Sequence, residues 1–253
     1  MIVRIILHGM QIRKLFSYAY WKFCYLREIN YKRRFNSRDF SLLRDSDSIT
    51  SFWEASHSLD AKRWLTGSSF SQVAELHNLE NYGDLNSKTI LNVGVGLGAC
   101  TQELSRKSKE IDVLDISERA LERVKSYTRR QFISSKYEML PTLEYDLIIH
   151  NLVAQHMNDE DLSDQLLHLK NSLKPSGVLT IQFLTIPNSR KSTMDDLATC
   201  KLGEVGRTLE CIHELIEHSG LRIESVSEVR QFPEIGFTWH VMTLHRDVVT
   251  TNQ

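Results

Sequence analysis

At 253 residues, 41% hydrophobic and 25% charged, the chain has the size and balance of one ordinary domain carrying an appendage. That balance excludes wholesale disorder and a multi-span membrane protein, and a formal net charge of -1 excludes a nucleic-acid-binding field spread over the whole protein. Cys24, Cys100, Cys200 and Cys211 form neither a C-x-x-C pair nor a zinc-like spacing, so they read as reduced, structurally buried thiols in a cytoplasmic setting.

The first forty residues are markedly basic: cations from Arg4 to Arg38 are opposed only by Glu28 and Asp39. Phe16, Ala19, Tyr20, Phe23 and Leu26 fall on one helical face, while Tyr18, Trp21 and Tyr25 suit the depth of lipid headgroups. Residues 1–38 therefore read either as a peripheral membrane contact on the inner membrane surface or as a helix packing on its own domain or a partner. The apolar run breaks too early to span a bilayer, and Arg13 and Lys14 interrupt any signal peptide. Polar residues around Asp45-Ser46-Asp47-Ser48 mark a linker, which divides the chain into a helical appendage and linker, 1–50, and a main domain, 51–253. From Ser51 to Asn86 the sequence reads as helical with loops. Trp53, His57, Trp64 and Leu65 are there either to fill core or to cover a site.

Thr89 to Val93 is a buried-strand pattern that runs into Gly94, Gly96 and Gly98. Glycines directly after a strand let the backbone turn sharply and approach a ligand that a Cβ would displace. Gly94, Gly96 and Ala99 also satisfy the G-x-G-x-x-[GA] dinucleotide fingerprint, so the loop alone marks a nucleotide-bearing cofactor of either kind. Ile111 to Asp115 is a second strand, ending in a carboxylate suited to the two vicinal hydroxyls of a ribose, with Ser117 as N-cap of the helix after it. The third-strand region, Gln131 to Pro141, is short. Tyr145 to Asn151 forms another strand. Asn158 and Asp161 then cap a helix with a Leu162, Leu166, Leu169, Leu173 stripe. Lys174-Pro175-Ser176-Gly177 stops that helix and opens a fresh strand, and the tail reads as a helix ended by Gly220 followed by two antiparallel strands, Leu221 to Val229 and Phe237 to Leu244.

In the order and spacing of ILNVGVGLG, VLDIS, YDLIIHNLVAQHM and LKPSGVL, the chain resembles the class I S-adenosylmethionine-dependent methyltransferases, closely from Lys88 to Phe183 and more loosely to about Arg246. The resemblance implies an α/β fold: a seven-stranded, doubly wound, mostly parallel sheet with an antiparallel C-terminal hairpin, preceded here by the helical appendage. It implies that Asn92, Gly94, Gly96, Gly98, Asp115, Ile116 and Asn151 hold S-adenosylmethionine. His156 matches a histidine that the family commonly places beside the methyl group, where it acts either as a general base or as a capping and packing residue. His150 is expected to shape the cofactor floor, with His57 and His240 as reserve acids or bases. Asn92 stands where the family often has an acid. No Asp occupies the usual adenine position, which leaves Ser134, Ser135, Tyr137 or a backbone carbonyl. The insert Thr185 to Arg207, with Arg190, Lys191, Asp195 and Asp196, is expected to line the acceptor pocket, and no metal-ligand spacing appears. There is no N/D-P-P-Y/F sequence, so no nucleic acid is expected. The basic aromatic segment points instead to a small-molecule acceptor, a hydroxyl of a sugar or lipid-linked saccharide. The alternatives are a non-catalytic S-adenosylmethionine-binding regulatory or assembly protein and an NAD-dependent oxidoreductase.

Overall fold

β1 (Thr89–Val93) is buried along its whole length, as its largely apolar run requires of a strand with neighbours on both sides and layers on both faces. In the computed structural model, which describes residue 50, residues 53–54, residue 57 and residues 68–187, 205–232 and 237–247, it lies in the interior of the sheet. The other strands are β2 (Glu110–Asp115), β3 (Arg130–Ile133), β4 (Tyr145–His150), β5 (Leu173–Thr185), β6 (Leu221–Phe232) and β7 (Phe237–Arg246). They form seven strands in the order β3-β2-β1-β4-β5-β7-β6; β1 to β5 are parallel, and β7 runs antiparallel to both β5 and β6. This is the expected sheet, with the reversed strand inserted. Residues 1–49, and with them most of the proposed appendage, lie outside the described residues.

Alternation along the strands divides the core into two layers. Leu91, Ile148, Leu179, Ile181 and Met242 face α4 (Asp159–Ser172) and α5 (Leu209–His218), where Leu162, Leu166, Leu169, Ile212 and Ile216 are fully buried. Ile90, Leu147 and Ile149 face α1 (Phe70–Leu76) and α2 (Ala99–Lys107), while Val113 packs on Ala120, Leu121 and Val124 of α3 (Glu118–Val124). The caps are those expected from the sequence: Ser117 Oγ accepts from the Ala120 amide at 3.2 Å and Asn158 Oδ1 from the Asp161 amide at 2.8 Å. Gly220, at φ 70°, ends the C-terminal helix. Lys174 to Gly177 loop out between Leu173, paired with Tyr145, and Val178, paired with Leu147. A Cβ on Gly177 would come within 2.6 Å of the Tyr145 carbonyl, which explains why glycine closes that bulge.

At the amino end of the sheet, the buried Asp112 receives hydrogen bonds from Arg129 (2.7 Å), Arg130 (2.7 Å) and Tyr145 (2.9 Å). Burial pushes its carboxyl upward, but the two guanidiniums and the phenol outweigh this and hold it below the usual carboxylate range. This knot fixes β2, β3 and β4 in register. The opposite, carboxyl edge is left to form a crevice where the strand order reverses beside β1.

Candidate active site

The crevice begins at the loop from β1 into α2. Gly94, Gly96 and Gly98 all have positive φ, 82°, 56° and 84°, a region that costs an L-residue roughly 1–2 kcal/mol. A Cβ on Gly94 would run into Val153 Cγ2, and one on Gly98 would meet Val124 Cγ1 at 2.7 Å, so these two glycines permit close packing. Around Gly96 a Cβ would meet nothing within 4 Å, and the loop opens there. Facing it, Asp115 is 7% exposed and accepts from the amides of Val95 (2.6 Å) and Ser117 (2.9 Å), with those of Gly96 and Ile116 also directed at it. Burial pushes its carboxyl up to about 6, and the four amides oppose that shift. An acid so placed is a strong acceptor for ribose hydroxyls once ionised. The residues present therefore fit a nucleoside-bearing cofactor: a backbone cradle open at one glycine, beside a carboxylate whose bonds in the protein all come from main-chain amides.

Asn92 is buried on the α2 face, where its Nδ2 donates to Thr101 Oγ1 at 3.0 Å and ties β1 to α2. Asn151, just past β4, accepts from His77 Nε2 through its Oδ1 at 3.1 Å, and its Nδ2 donates to Ser68 Oγ at 3.4 Å. Its main-chain carbonyl lies 3.3 Å from where a Gly94 Cβ would stand, so the end of β4 and the glycine loop meet through backbone. His77 is itself buried, with its other ring nitrogen 2.8 Å from Thr180 Oγ1, and burial lowers its pKa to about 4.

His156 occupies the short turn Ala154–His156 after β4. Its ring meets Trp53 edge-on, with centroids 4.9 Å apart, and Trp53 in turn lies 6.2 Å from the His57 ring. The same segment crosses to α3, where the Glu54 carboxylate accepts from the amides of Glu118 and Arg119 and the His57 carbonyl accepts from Arg123 at 2.7 Å. Carboxylate at a helix N-terminus is electrostatically favourable. Trp53, Glu54 and His57 thus connect α3 to the His156 turn. Burial, helped by the charge of Arg123, lowers the His57 pKa to about 4.

Other expected residues sit elsewhere. His150 faces α4, not the cofactor floor: one step along the strand reverses the side chain, and its Nε2 meets Gln165 Oε1 at 2.7 Å. The Tyr137 hydroxyl accepts from Gln165 Nε2 at 3.0 Å, which ties it to α4. His240 Nδ1 lies 2.8 Å from Thr185 Oγ1 on β5. The side chain of Ser135, together with Trp64, Leu65, Arg190, Lys191, Asp195 and Asp196, lies outside the described residues. Among the described residues, no group of three or more His, Cys, Asp or Glu could hold a metal ion, and no helix is long and apolar enough to cross a membrane. Glu54, His77 and Arg207 were missed in the sequence. Arg207 carried a signal, since a cation directly before the N-cap Thr208 opposes the helix dipole and needs another partner.

The family model for the AdoMet-dependent proline di-methyltransferases matches residues 61–245. The chain belongs to this family. The proline di-methyltransferases use S-adenosylmethionine, and the cradle of Gly94, Gly96, Gly98 and Asp115 is where this member would hold it. N-terminal Xaa-Pro-Lys N-methyltransferase 1 of Xenopus tropicalis is 28% identical over 153 residues, which cover 57% of this chain and 66% of that protein. N-terminal Xaa-Pro-Lys N-methyltransferase 2 of Danio rerio is 28% identical over 172 residues, 60% of this chain and 56% of that protein. The chain therefore spans less than two thirds of the length of either relative. Among solved structures, the 1,6-didemethyltoxoflavin-N1-methyltransferase of Burkholderia thailandensis, with S-adenosylhomocysteine bound, superposes with a TM-score of 0.58 at 15% identity, covering 82% of this chain and 89% of that one. An S-adenosylmethionine-dependent methyltransferase of Leishmania major gives 0.51 at 17%, covering 83% and 82%. At such identities these two likenesses speak for the shared class I fold.

Proposed function

We propose that this proline di-methyltransferase family member methylates the α-amino nitrogen of a peptide or protein amino terminus. The observation that carries the reading is the position of His156 past the carboxyl end of β4 and under Trp53, in a chain of this family. S-adenosylmethionine brings a methyl group already activated on a sulfonium, so the protein's tasks are alignment, exclusion of water and removal of a proton from the acceptor. An α-ammonium ionises near 8 and an imidazole in water near 6.5, so histidine takes that proton at little cost, whereas an alcohol would hold its proton far more tightly. A protonated amine has no lone pair and repels the sulfonium. Around the crevice, His57 and His77 are kept neutral by burial, which avoids further positive charge opposite the donor. Trp53 and the bridge to α3 keep water out.

The saccharide hydroxyl expected from the sequence drew its support from residues 1–38, which lie outside the described residues, and it is the competing acceptor in the test. The protein is incubated with labelled donor and, separately, a synthetic peptide beginning Xaa-Pro-Lys, its N-acetylated twin, and saccharide and lipid-linked saccharide pools. Label is expected in the free-amine peptide alone; transfer into the saccharides with none into the peptide would overturn the proposal. His156→Ala should leave S-adenosylhomocysteine affinity unchanged by calorimetry and slow turnover roughly 10²- to 10⁴-fold. Normal turnover in that variant would remove the base from the mechanism.

A further inference from the structure

Arg207 is 1% exposed, among the most deeply buried large side chains of the described residues, although it carries a permanent charge. A buried guanidinium persists only where its five N–H donors find acceptors. Here Nη1 donates to the Ala154 carbonyl at 3.0 Å, Nη2 to the Met157 carbonyl at 2.7 Å, and Nε to Asp159 Oδ1 at 2.6 Å. The two carbonyls bracket His156. The Val205 amide takes the carbonyl between them, that of Gln155, at 2.6 Å. The clamp is itself anchored to the sheet: the Arg207 amide donates to the Leu184 carbonyl at 3.0 Å, and its own carbonyl accepts from Ile186 at 2.9 Å, forming a parallel bridge with Thr185. Gly206 is required there, because a Cβ would come within 2.5 Å of the Phe237 ring.

From this geometry we infer that Arg207 is the positioning residue for His156: it grips the turn by its backbone, with the Asp159 carboxylate beside it, and so fixes where the imidazole points. The inference rests on His156 acting as the base. Arg207 touches no reacting atom. It also ends the insert between β5 and α5, so the same residue joins the acceptor side of the crevice to the base. A planar fork suits this task because it spans two carbonyls at once, which an ammonium on a flexible stem does not.

The first readout needs no acceptor. In the full chain saturated with S-adenosylhomocysteine, the ring resonance of His156 is assigned by its loss in His156→Ala. In Arg207→Met it should shift or split while those of His77 and His150 stay in place. An unmoved His156 signal would overturn the inference, and so would equal movement of all three, which marks general loosening. The second readout is turnover of the Xaa-Pro-Lys peptide. Arg207→Met should lower kcat on the order of 10²-fold with KM for the donor unchanged, and should cost almost nothing further in a His156→Ala background. Equal losses in both backgrounds would refute the role. Normal turnover in His156→Ala itself would instead remove the proposed base. Should Arg207→Met fail to fold, Arg207→Lys carries the same two readouts, with a smaller fall expected because one carbonyl remains bound.

Discussion

In the β1–β3 half of the crevice, the hydrogen-bond partners of Asp115 are main-chain amides 2 and 20 residues away in sequence, and the cradle is shaped by three glycines. In the β4–β5 half, the turn carrying His156 is held by a guanidinium about 50 residues away, and Asn151 is tied to a histidine 74 residues earlier. One half is held chiefly by main-chain geometry around a single buried carboxylate. The other is held by a few side chains that reach across long sequence separations. On the proposed reading the donor meets the first half and the acceptor the second.

The contrast is tested most severely at Gly94. Gly94→Ala forces a Cβ into Val153 and fixes an L-residue at φ 82°. Overpacking of about 1–3 kcal/mol and backbone strain of about 1–2 kcal/mol should add in the unfolding free energy. Because Val153 leads into the His156 turn, both halves are damaged, so donor affinity and turnover fall together. Gly96→Ala has open space and should lose only the strain, yet donor affinity measured by calorimetry should fall by far more than stability does. Equal losses at the two glycines would mean that the cradle is not where the donor sits.

These halves also differ in how far the residues foretell them. The glycine loop, Asp115 with its capped helix and the leucine stripe are legible because each is a local pattern: a period, a cap, or a φ that only glycine accepts cheaply. The reversed last strand is what the family resemblance implies. The sequence also places His156 after the fourth strand. What holds it there is not legible, because Arg207 and Trp53 reach it across the fold, and no local rule relates residues 50 or 100 positions apart. His150 shows the same limit on a smaller scale. A strand's end is easy to locate, but which of two adjacent residues faces the ligand depends on register, and Asn151, not His150, lies on the α1 and α2 side.

The next effect is expected in the pH dependence of the donor half. The Asp115 carboxyl ionises near 3.8 when exposed and near 6 when buried in the fold. Between those values the folded chain keeps a proton that the unfolded chain has released, so this group's contribution to stability declines as pH rises through that window. The decline is on the order of 3 kcal/mol. The stability of Asp115→Asn relative to the parent, followed by urea unfolding, should therefore improve between pH 4 and pH 7. Donor affinity should move the other way, because the ribose hydroxyls need the ionised acid. In the parent it should weaken about tenfold per pH unit below 6, and in the variant it should be low and nearly flat. A parent affinity indifferent to pH over that range would separate Asp115 from the ribose.

The smallest effect sharpens the comparison from the acceptor side. Gln182 on β5 is 1% exposed, opposite Val241 of β7, and neither Nε2 nor Oε1 of its carboxamide has a hydrogen-bond partner. Counting along β4 and β5 from the pair His150 and Ile181 places Gln182 beside Asn151, at the level of the glycine loop. A buried amide left unpaired costs about 1–3 kcal/mol, and a backbone-built half would have no reason to keep one. Gln182→Met preserves the length of the side chain and removes that cost, so the variant should melt higher, by about 2–4 °C per kcal/mol for a chain of this size, with donor affinity unchanged. If the acceptor half keeps a polar group at the expense of stability because the acceptor needs it, the same variant should show a raised KM for the peptide. A higher melting temperature with an unaltered peptide KM would make Gln182 an ordinary packing defect with no part in holding the acceptor.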